Sequence, residues 1–406
     1  MRLPRLYLCG RGADDGPFQD LSFEQTNGLR RWIGSHEGGR GATVVFVTGL
    51  HGNEHTSVSA LNQAFQKFEY LVSRESLKVK GNVYVLAGNL GALAKGERYQ
   101  VEDLNRIWSL KRIDAVERGV TCESCEEVEL RELLIAFRSI LSNGNSPFIF
   151  VDIHTTGSRT ISHILMNDLL LNRKPGSHYP LPVVMGVDSL AEHSMLSFVN
   201  EMGHAGIGFE AGLDGQDSTA RLIEAFFWQT LVCNGLLKSK EVPDFSEYRK
   251  ILNSVNHGKQ EVYEIHYVHQ ASQDDEFELV PGHHNFQPIV RGQYLGHNKH
   301  GAVLSKSRGY VYVSGWSGGE SGGFFVLRKV SKSWLNLSAL LRKSRVERLM
   351  GWLPGIQKTK EPAGAYRVNI WVARIFAAAL FKLLGYRVHR QDGFLIVARR
   401  EGSEHI

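Results

Sequence analysis

Residues 42–55 read ATVVFVTGLHGNEH. The apolar, largely β-branched run Ala42 to Val47 leads into a glycine, then into His51 and, three positions on, Glu54. A short continuous apolar run bounded by glycine reads as a strand buried on both faces. Residues three apart share a face once a helical turn begins, so an imidazole and a carboxylate can converge there. Open α/β sheets carry their ligands at that end of a parallel strand. The stretch therefore predicts an α/β domain with its chemistry at the mouths of its strands.

The same alternation continues through the first 240 residues. Further strands are expected at GNVYVLAGN (81–89), SPFIFVDIH (146–154) and AGIGFEAG (205–212). Between them LNQAFQKFEYLV (61–72), VELRELLIAFRSIL (128–141) and TARLIEAFFWQTLVCNGLL (219–237) space apolar residues as amphipathic helices do. The predicted fold class is α/β, a mixed but largely parallel sheet flanked by helices. After about Val242 the chain turns to short, glycine-punctuated β segments, so residues 243–330 are expected to form a β-rich, all-β appended domain. Residues 331–406 offer two helices, at 333–353 and 368–385, and a hairpin at 386–400 turning at Gln391, Asp392 and Gly393. The expected domains are 1–242, 243–330 and a basic α+β extension at 331–406.

Composition narrows the function classes. Over 406 residues, 42% hydrophobic and 22% charged is ordinary for a soluble globular chain. Cys9, Cys122, Cys125 and Cys233 are too few for a disulfide framework and fit a reducing compartment. Arg374 and Lys382 break the most apolar late segment, so no transmembrane helix is expected. The N-terminal MRLPRLYLCG is too short and too charged at Arg5 for a secretory leader, and a cytoplasmic location follows. The net charge of +5 is uneven: from Ser331 onward 14 Lys+Arg stand against 5 Asp+Glu, a balance of +9, while residues 1–330 carry 33 against 37, or −4. That tail could meet an anionic membrane surface, act as a lid, or join copies of the chain in a homo-oligomer. No aromatic-basic motif points to nucleic acid. The pair in CESC (122–125) lacks a second CxxC, and His266, His269, His283, His284, His297 and His300 lack a carboxylate at ligand spacing.

Zinc accepts both an imidazole and a carboxylate, so His51 and Glu54 are two candidate ligands, and the third that a catalytic zinc needs is best supplied by His154, which closes the strand FIFVDIH. Asp152 falls on the same strand face and could orient that imidazole. The loop at 88–108, GNLGALAKGERYQVEDLNRIW, gathers Arg98, Asp103, Asn105 and Arg106. An Asn-Arg pair suits a carboxylate, and a separate arginine suits an oxyanion. Glu210, inside AGIGFEAG, is a carboxylate among apolar neighbours and must have a partner or a task.

Taken together, HGNE at 51–54, GNLGALAKGERY with DLNR at 103–106, DIH at 152–154 and GFEAG at 208–212 resemble the succinylglutamate desuccinylase and aspartoacylase family of zinc hydrolases, related in fold to the zinc carboxypeptidases. The resemblance runs from about residue 40 to 330. It implies that His51, Glu54 and His154 hold one zinc ion and that Glu210 is the general base. It further implies that Arg98 polarises the scissile carbonyl and that Asn105 with Arg106 grips a substrate carboxylate. Members that take acidic amino-acid substrates carry an arginine where Asn200 stands here, and no Lys or Arg occurs between Lys174 and Arg221. Arg159 is the candidate substitute. The tyrosine such enzymes bring from the β-rich region corresponds to Tyr310 or Tyr312, which alternate onto one face. The expected activity is metal-assisted hydrolysis of an amide bond in a small N-acylated, carboxylate-bearing substrate. The rivals are a carboxypeptidase or peptidoglycan-peptide amidase, and a non-catalytic binding protein on the same fold.

Overall fold

The computed structural model describes residues 29–119, 124–157, 160–187, 193–270, 273–313, 323–344, 352, 355–358, 366–369, 380–381, 383–391 and 394–399. The N-terminal segment, Cys9, Cys122, Arg159, most of the second expected tail helix and the turn at Asp392 and Gly393 lie outside them.

The chain opens with β1 (Trp32–Glu37), β2 (Thr43–Thr48), α1 (His55–Ser73), β3 (Asn82–Ala87), α2 (Leu90–Lys95), α3 (Leu110–Glu117), α4 (Cys125–Asn143) and β4 (Phe148–Thr156). There follow β5 (His163–Met166), α5 (Leu170–Gly176), β6 (Val183–Met185), α6 (Met195–Glu201), β7 (Ala205–Leu213) and α7 (Asp217–Cys233). Strands β2, β3, β4 and β7 lie side by side in the order β3-β2-β4-β7, all parallel. Every residue of β2 and β3 is buried, because helices cover both faces and leave no polar side to the strand. Helix α1 faces one side with Leu61, Ala64, Phe65 and Phe68, spaced at three and four residues, and packs beside α7. On the other side α4 supplies Leu130, Leu133, Leu134, Phe137 and Ile140. These elements match the strands and helices expected from periodicity.

The region after Val242 differs from expectation in two ways. It begins with a helix, α8 (Phe245–Val255), whose apolar residues Phe245, Tyr248, Ile251, Leu252 and Val255 recur at helical spacing and face the main core, a period that the strand-like segments after it outweighed. The strands β8 (Val262–Gln270), β10 (Gln287–Ile289), β13 (Gly309–Tyr312) and β14 (Gly323–Val330) then extend the main sheet, since β8 pairs in parallel with β6. The result is one mixed eleven-stranded sheet, β1-β3-β2-β4-β7-β5-β6-β8-β14-β13-β10, with five of its ten pairings parallel. Strands β9 (Glu278–Leu279), β11 (Tyr294–Asn298) and β12 (Gly301–Leu304) form a separate small sheet.

That long sheet cannot be flat. Strands β5 and β13 are four steps apart, which at about 4.8 Å per step is roughly 19 Å in a plane. Yet the rings of His163 on β5 and Tyr312 on β13 have centroids 5.4 Å apart. The sheet curls over, and Val184, Tyr263, Phe286, Tyr312, Phe325 and Leu327 fill the hollow. The curl brings the late strands back toward the mouth of β4 and β7.

The extension is joined to the main body by charge. Helix α9 (Lys332–Lys343) sends Arg342 to Asp168, with Nη2 2.7 Å from Oδ2 and Nη1 2.8 Å from the main-chain oxygen. Arg173 Nη2 donates to the other Asp168 oxygen at 2.9 Å and Nη1 to Leu335 O at 2.9 Å. Beyond it, β15 (Ile356–Lys358), β16 (Tyr366–Asn369), β17 (Tyr386–Gln391) and β18 (Phe394–Arg399) make a four-stranded sheet that includes the expected hairpin.

A buried cation ties the ligand-bearing edge together. Arg31, 1% exposed, donates to the carbonyls of Ala87 and Gly88 at the end of β3 and to Glu129 and Glu132 on α4. Glu129 accepts from Gly91 N at 2.8 Å, fixing the start of α2. Breaking a buried pair strands the other charge. Arg31→Leu is expected to lower unfolding stability by about 3–5 kcal/mol in urea titration; a loss below about 1 kcal/mol would show the pair to be dispensable.

Candidate metal centre

Three donors meet where β2 and β4 end. After β2 the chain turns through Gly49 and Gly52 into α1. A Cβ at Gly52 would lie 2.1 Å from the Ala92 carbonyl carbon and 2.4 Å from Glu97 O, so only glycine allows this turn to press against the Arg98 loop. Glu54 occupies the N-cap of α1 but makes no capping bond with its side chain. Asp214, after β7, takes over that role by accepting from Thr56 N at 3.0 Å. The Glu54 carboxylate is thereby free to face the imidazoles.

His51 Nδ1 lies 2.7 Å from Glu54 Oε1, and His154 Nδ1 lies 3.0 Å from Glu54 Oε2, which also accepts from Thr155 N at 3.1 Å. All three residues are buried, and one donor atom from each falls within 4.8 Å of the others. Zn–N distances of about 2.0–2.1 Å in a tetrahedral site put ligand atoms roughly 3.3 Å apart, and both His–Glu54 distances fall close to that spacing.

The far side of each ring is held as metal-binding histidines require. His154 Nε2 is 2.8 Å from Asp152 Oδ2, and His51 Nε2 is 3.2 Å from Asp103 Oδ1. A proton on each Nε2, donated to a carboxylate, leaves each Nδ1 lone pair for a cation. Arg98 Nη2 also lies 2.9 Å from His51 Nε2 and 3.0 Å from Asp103 Oδ2. Contact from a guanidinium suits the opposite tautomer, with the proton on Nδ1 toward Glu54. Holding a cation at Nδ1 would require the tautomer with its proton on Nε2 toward Asp103, with the Arg98 guanidinium turned from Nε2 to Asp103 alone. The donor set, two imidazoles and a carboxylate backed by two further carboxylates, fits zinc.

The electrostatics agree. Burial alone would raise the Glu54 carboxyl, but the His154 and His51 imidazoles hold it well below the usual carboxylate range. Burial opposes charge on His154, and Asp152 and Glu54 overcome it and raise that group well above its ordinary value. Asp103 resists its own burial through His51, Arg106 and Arg98 and stays far below the carboxylate range.

Glu210 sits on β7 directly across from His154 in the parallel register. Burial pushes its carboxyl up to about 7, His154 draws it down, and Glu54 adds to the rise. The Asn105 amide bridges two elements: Nδ2 donates to Asp152 Oδ2 at 3.4 Å and Oδ1 accepts from Met195 N at 2.9 Å. Arg106, part-buried, donates from Nη1 to Asn105 O at 2.7 Å and feels the charges of Asp103 and Asp152. Tyr312 is buried in the electrostatic reach of Glu210, whereas Tyr310 packs on the Tyr263 ring at 5.1 Å. Asn200 spends its amide on Asn172 and on His204 O, and accepts from Asn167 at 2.9 Å. It has become a core strut.

Three supporting residues escaped sequence reasoning. Glu126 is fully buried on α4 and accepts from Asn89 Nδ2 at 3.1 Å, Gln100 N at 2.7 Å and Val101 N at 3.2 Å, organising the loop that carries Arg98 and Asp103. Its only sequence signal was a carboxylate inside an otherwise acidic helix start. His163 and Asp214 are the others; Asp214 also accepts from Thr155 Oγ1 at 2.8 Å.

Comparison with known proteins supplies an independent view. Residues 40–225 match the family model described as the succinylglutamate desuccinylase/aspartoacylase catalytic domain. A succinylglutamate desuccinylase of Pseudomonas fluorescens is 27% identical over 164 residues, 38% of this chain and 44% of that protein. One of Pseudomonas paraeruginosa is 32% identical over 121 residues, 29% of this chain and 33% of that protein. The matched stretch thus spans less than half of these curated relatives. Among solved structures, a succinylglutamate desuccinylase/aspartoacylase from Rhodobacter sphaeroides superposes with a TM-score of 0.52 at 18% identity, covering 73% of this chain and 88% of that one. An aspartoacylase family protein from Mesorhizobium loti gives 0.50 at 16%, with the same coverage. At these identities the likeness is one of fold.

Two outcomes test the centre. Calorimetric titration with Zn2+ should give about one site per chain, lost in His154→Ala and weakened about 10–100-fold in Asp152→Asn; undiminished affinity in both variants would remove the assignment. Burial also holds His163 down to about 4 from an ordinary 6.5. The unfolded chain therefore takes up that proton first, and stability should fall as pH drops from about 6.5 to about 4, by on the order of 3 kcal/mol. Urea midpoints across that window should fall less steeply in His163→Gln; an unchanged slope would assign the acid sensitivity elsewhere.

Proposed function

Because residues 40–225 belong to the succinylglutamate desuccinylase/aspartoacylase family, we propose that the protein is a zinc-dependent hydrolase that cleaves the amide bond of a small N-acyl amino acid. The observation that carries this reading is the convergence of His51, Glu54 and His154 at one strand mouth with Glu210 facing them from the next strand.

Bound by His51 Nδ1, His154 Nδ1 and Glu54, zinc would acidify a water and polarise the acyl carbonyl. The chain's own groups do the rest. Glu210, whose proton affinity sits near neutrality, takes a proton from the attacking water and returns it to the leaving nitrogen. Arg98 lies at the His51 rim and offers a guanidinium to the oxygen that gains negative charge. Asp103 and Asp152 hold the two imidazoles in one orientation as the charge beside them changes. Arg106 supplies the cation for a substrate carboxylate, while Asn105 braces it through its main-chain oxygen. Tyr312 serves as the tyrosine of the site; its hydrogen bond to His163, the cross-strand partner of Glu210, supports that choice over Tyr310, which packs on Tyr263. With Asn200 committed to the core, a second substrate carboxylate finds no cation at that position.

A hydrolysis screen over N-acyl amino acids decides the reading. Release of a free amino acid is expected, with turnover falling roughly 10²–10⁴-fold in Glu210→Gln while zinc is retained. Cleavage of C-terminal residues from peptides without any deacylation would move the assignment to a carboxypeptidase. Zinc binding with no hydrolysis of either class would leave a binding protein.

A further inference from the structure

His163 lies on β5 as the cross-strand partner of Glu210, and it is fully buried. Its Nδ1 is 2.7 Å from the main-chain oxygen of Ile161, and its Nε2 is 2.9 Å from the Tyr312 hydroxyl. A carbonyl oxygen only accepts, so Nδ1 carries the hydrogen. Burial keeps the ring neutral near neutral pH, which leaves Nε2 bare. The single hydroxyl hydrogen of Tyr312 therefore goes to Nε2. What the phenol oxygen has left is its lone pairs, and that oxygen lies within reach of the charge on Glu210.

We infer that His163 is a positioning residue that fixes the Tyr312 hydroxyl as a hydrogen-bond acceptor toward the candidate site, so that the site selects substrates with an N–H at the bond to be cleaved over ester analogues. The inference rests on the hydrolase reading above. An amide N–H donates to Tyr312 and is held beside the carboxyl that must protonate the departing nitrogen. An ester oxygen has no hydrogen and meets the phenol lone pairs instead, an unmade bond worth about a factor of ten. Phe286 packs edge-on to the His163 ring at a centroid distance of 5.1 Å, which keeps the imidazole plane from turning.

The test pairs spectroscopy with kinetics. Nitrogen-15 NMR of the zinc-loaded enzyme should show His163 as the neutral tautomer protonated at Nδ1; a proton on Nε2 overturns the assignment whatever the enzyme hydrolyses. For the best N-acyl amino acid of the screen and the O-acyl ester of the matching hydroxy acid, the amide-to-ester ratio of kcat/KM should fall about tenfold in His163→Phe and in Tyr312→Phe. His163→Gln, whose side-chain carbonyl can accept from Tyr312, should restore much of it. An unchanged ratio in Tyr312→Phe overturns the inference, and so does a loss in His163→Phe that falls equally on amide and ester. Absence of any deacylation by the unaltered enzyme would overturn the hydrolase reading and the amide selectivity with it, and the tautomer then decides the His163 geometry alone.

Discussion

The Glu54 carboxylate is the point on which the architecture turns. It begins α1, yet it leaves its own helix uncapped, faces the Nδ1 atoms of two imidazoles and accepts from a main-chain N–H on β4. A buried carboxylate at that position is tolerable only if several donors surround it. The parallel order β3-β2-β4-β7 supplies them, because parallel neighbours all finish at the same edge. Asp214 then has to cap the helix in its place, and the fold complies by bringing the end of β7 next to the start of α1. One local rule is broken at the site and mended by a residue 160 positions away.

What could be read from the sequence was whatever has a period or a short spacing. The apolar runs of β2 and β4 mark strands buried on both faces, and His51 with Glu54 falls within a single turn. Asp152 behind His154 was legible from its two-residue spacing, but less of the remaining support was, because groups such as Asp214 and Glu126 come from distant elements with no spacing to betray them. Glu126 looks like one more acidic residue at a helix start until the loop it holds is seen folded over it. Between Tyr310 and Tyr312 the alternation of a strand could not choose. The curl of the sheet, a property of eleven strands together, sets Tyr312 against His163 and leaves Tyr310 on the Tyr263 ring.

The curl also explains why the β-rich region reads as a separate domain and is built as part of the first. Its strands alternate and are punctuated by glycine like those of an appended barrel, but β8 finds an open parallel edge at β6 and continues the sheet. The hollow this makes is lined from both halves of the chain, with Val184 from one and Tyr263, Tyr312 and Phe325 from the other.

Chain order gives that arrangement a temporal side. The three donors and Glu210 are all synthesised by residue 210, whereas Tyr312 emerges about 100 residues later. At roughly 5–20 residues per second, synthesis of the strand that carries Tyr312 follows synthesis of the donors by on the order of ten seconds. During that interval the His163 imidazole beside Glu210 has no phenol to bond, and β13 is the strand that supplies it.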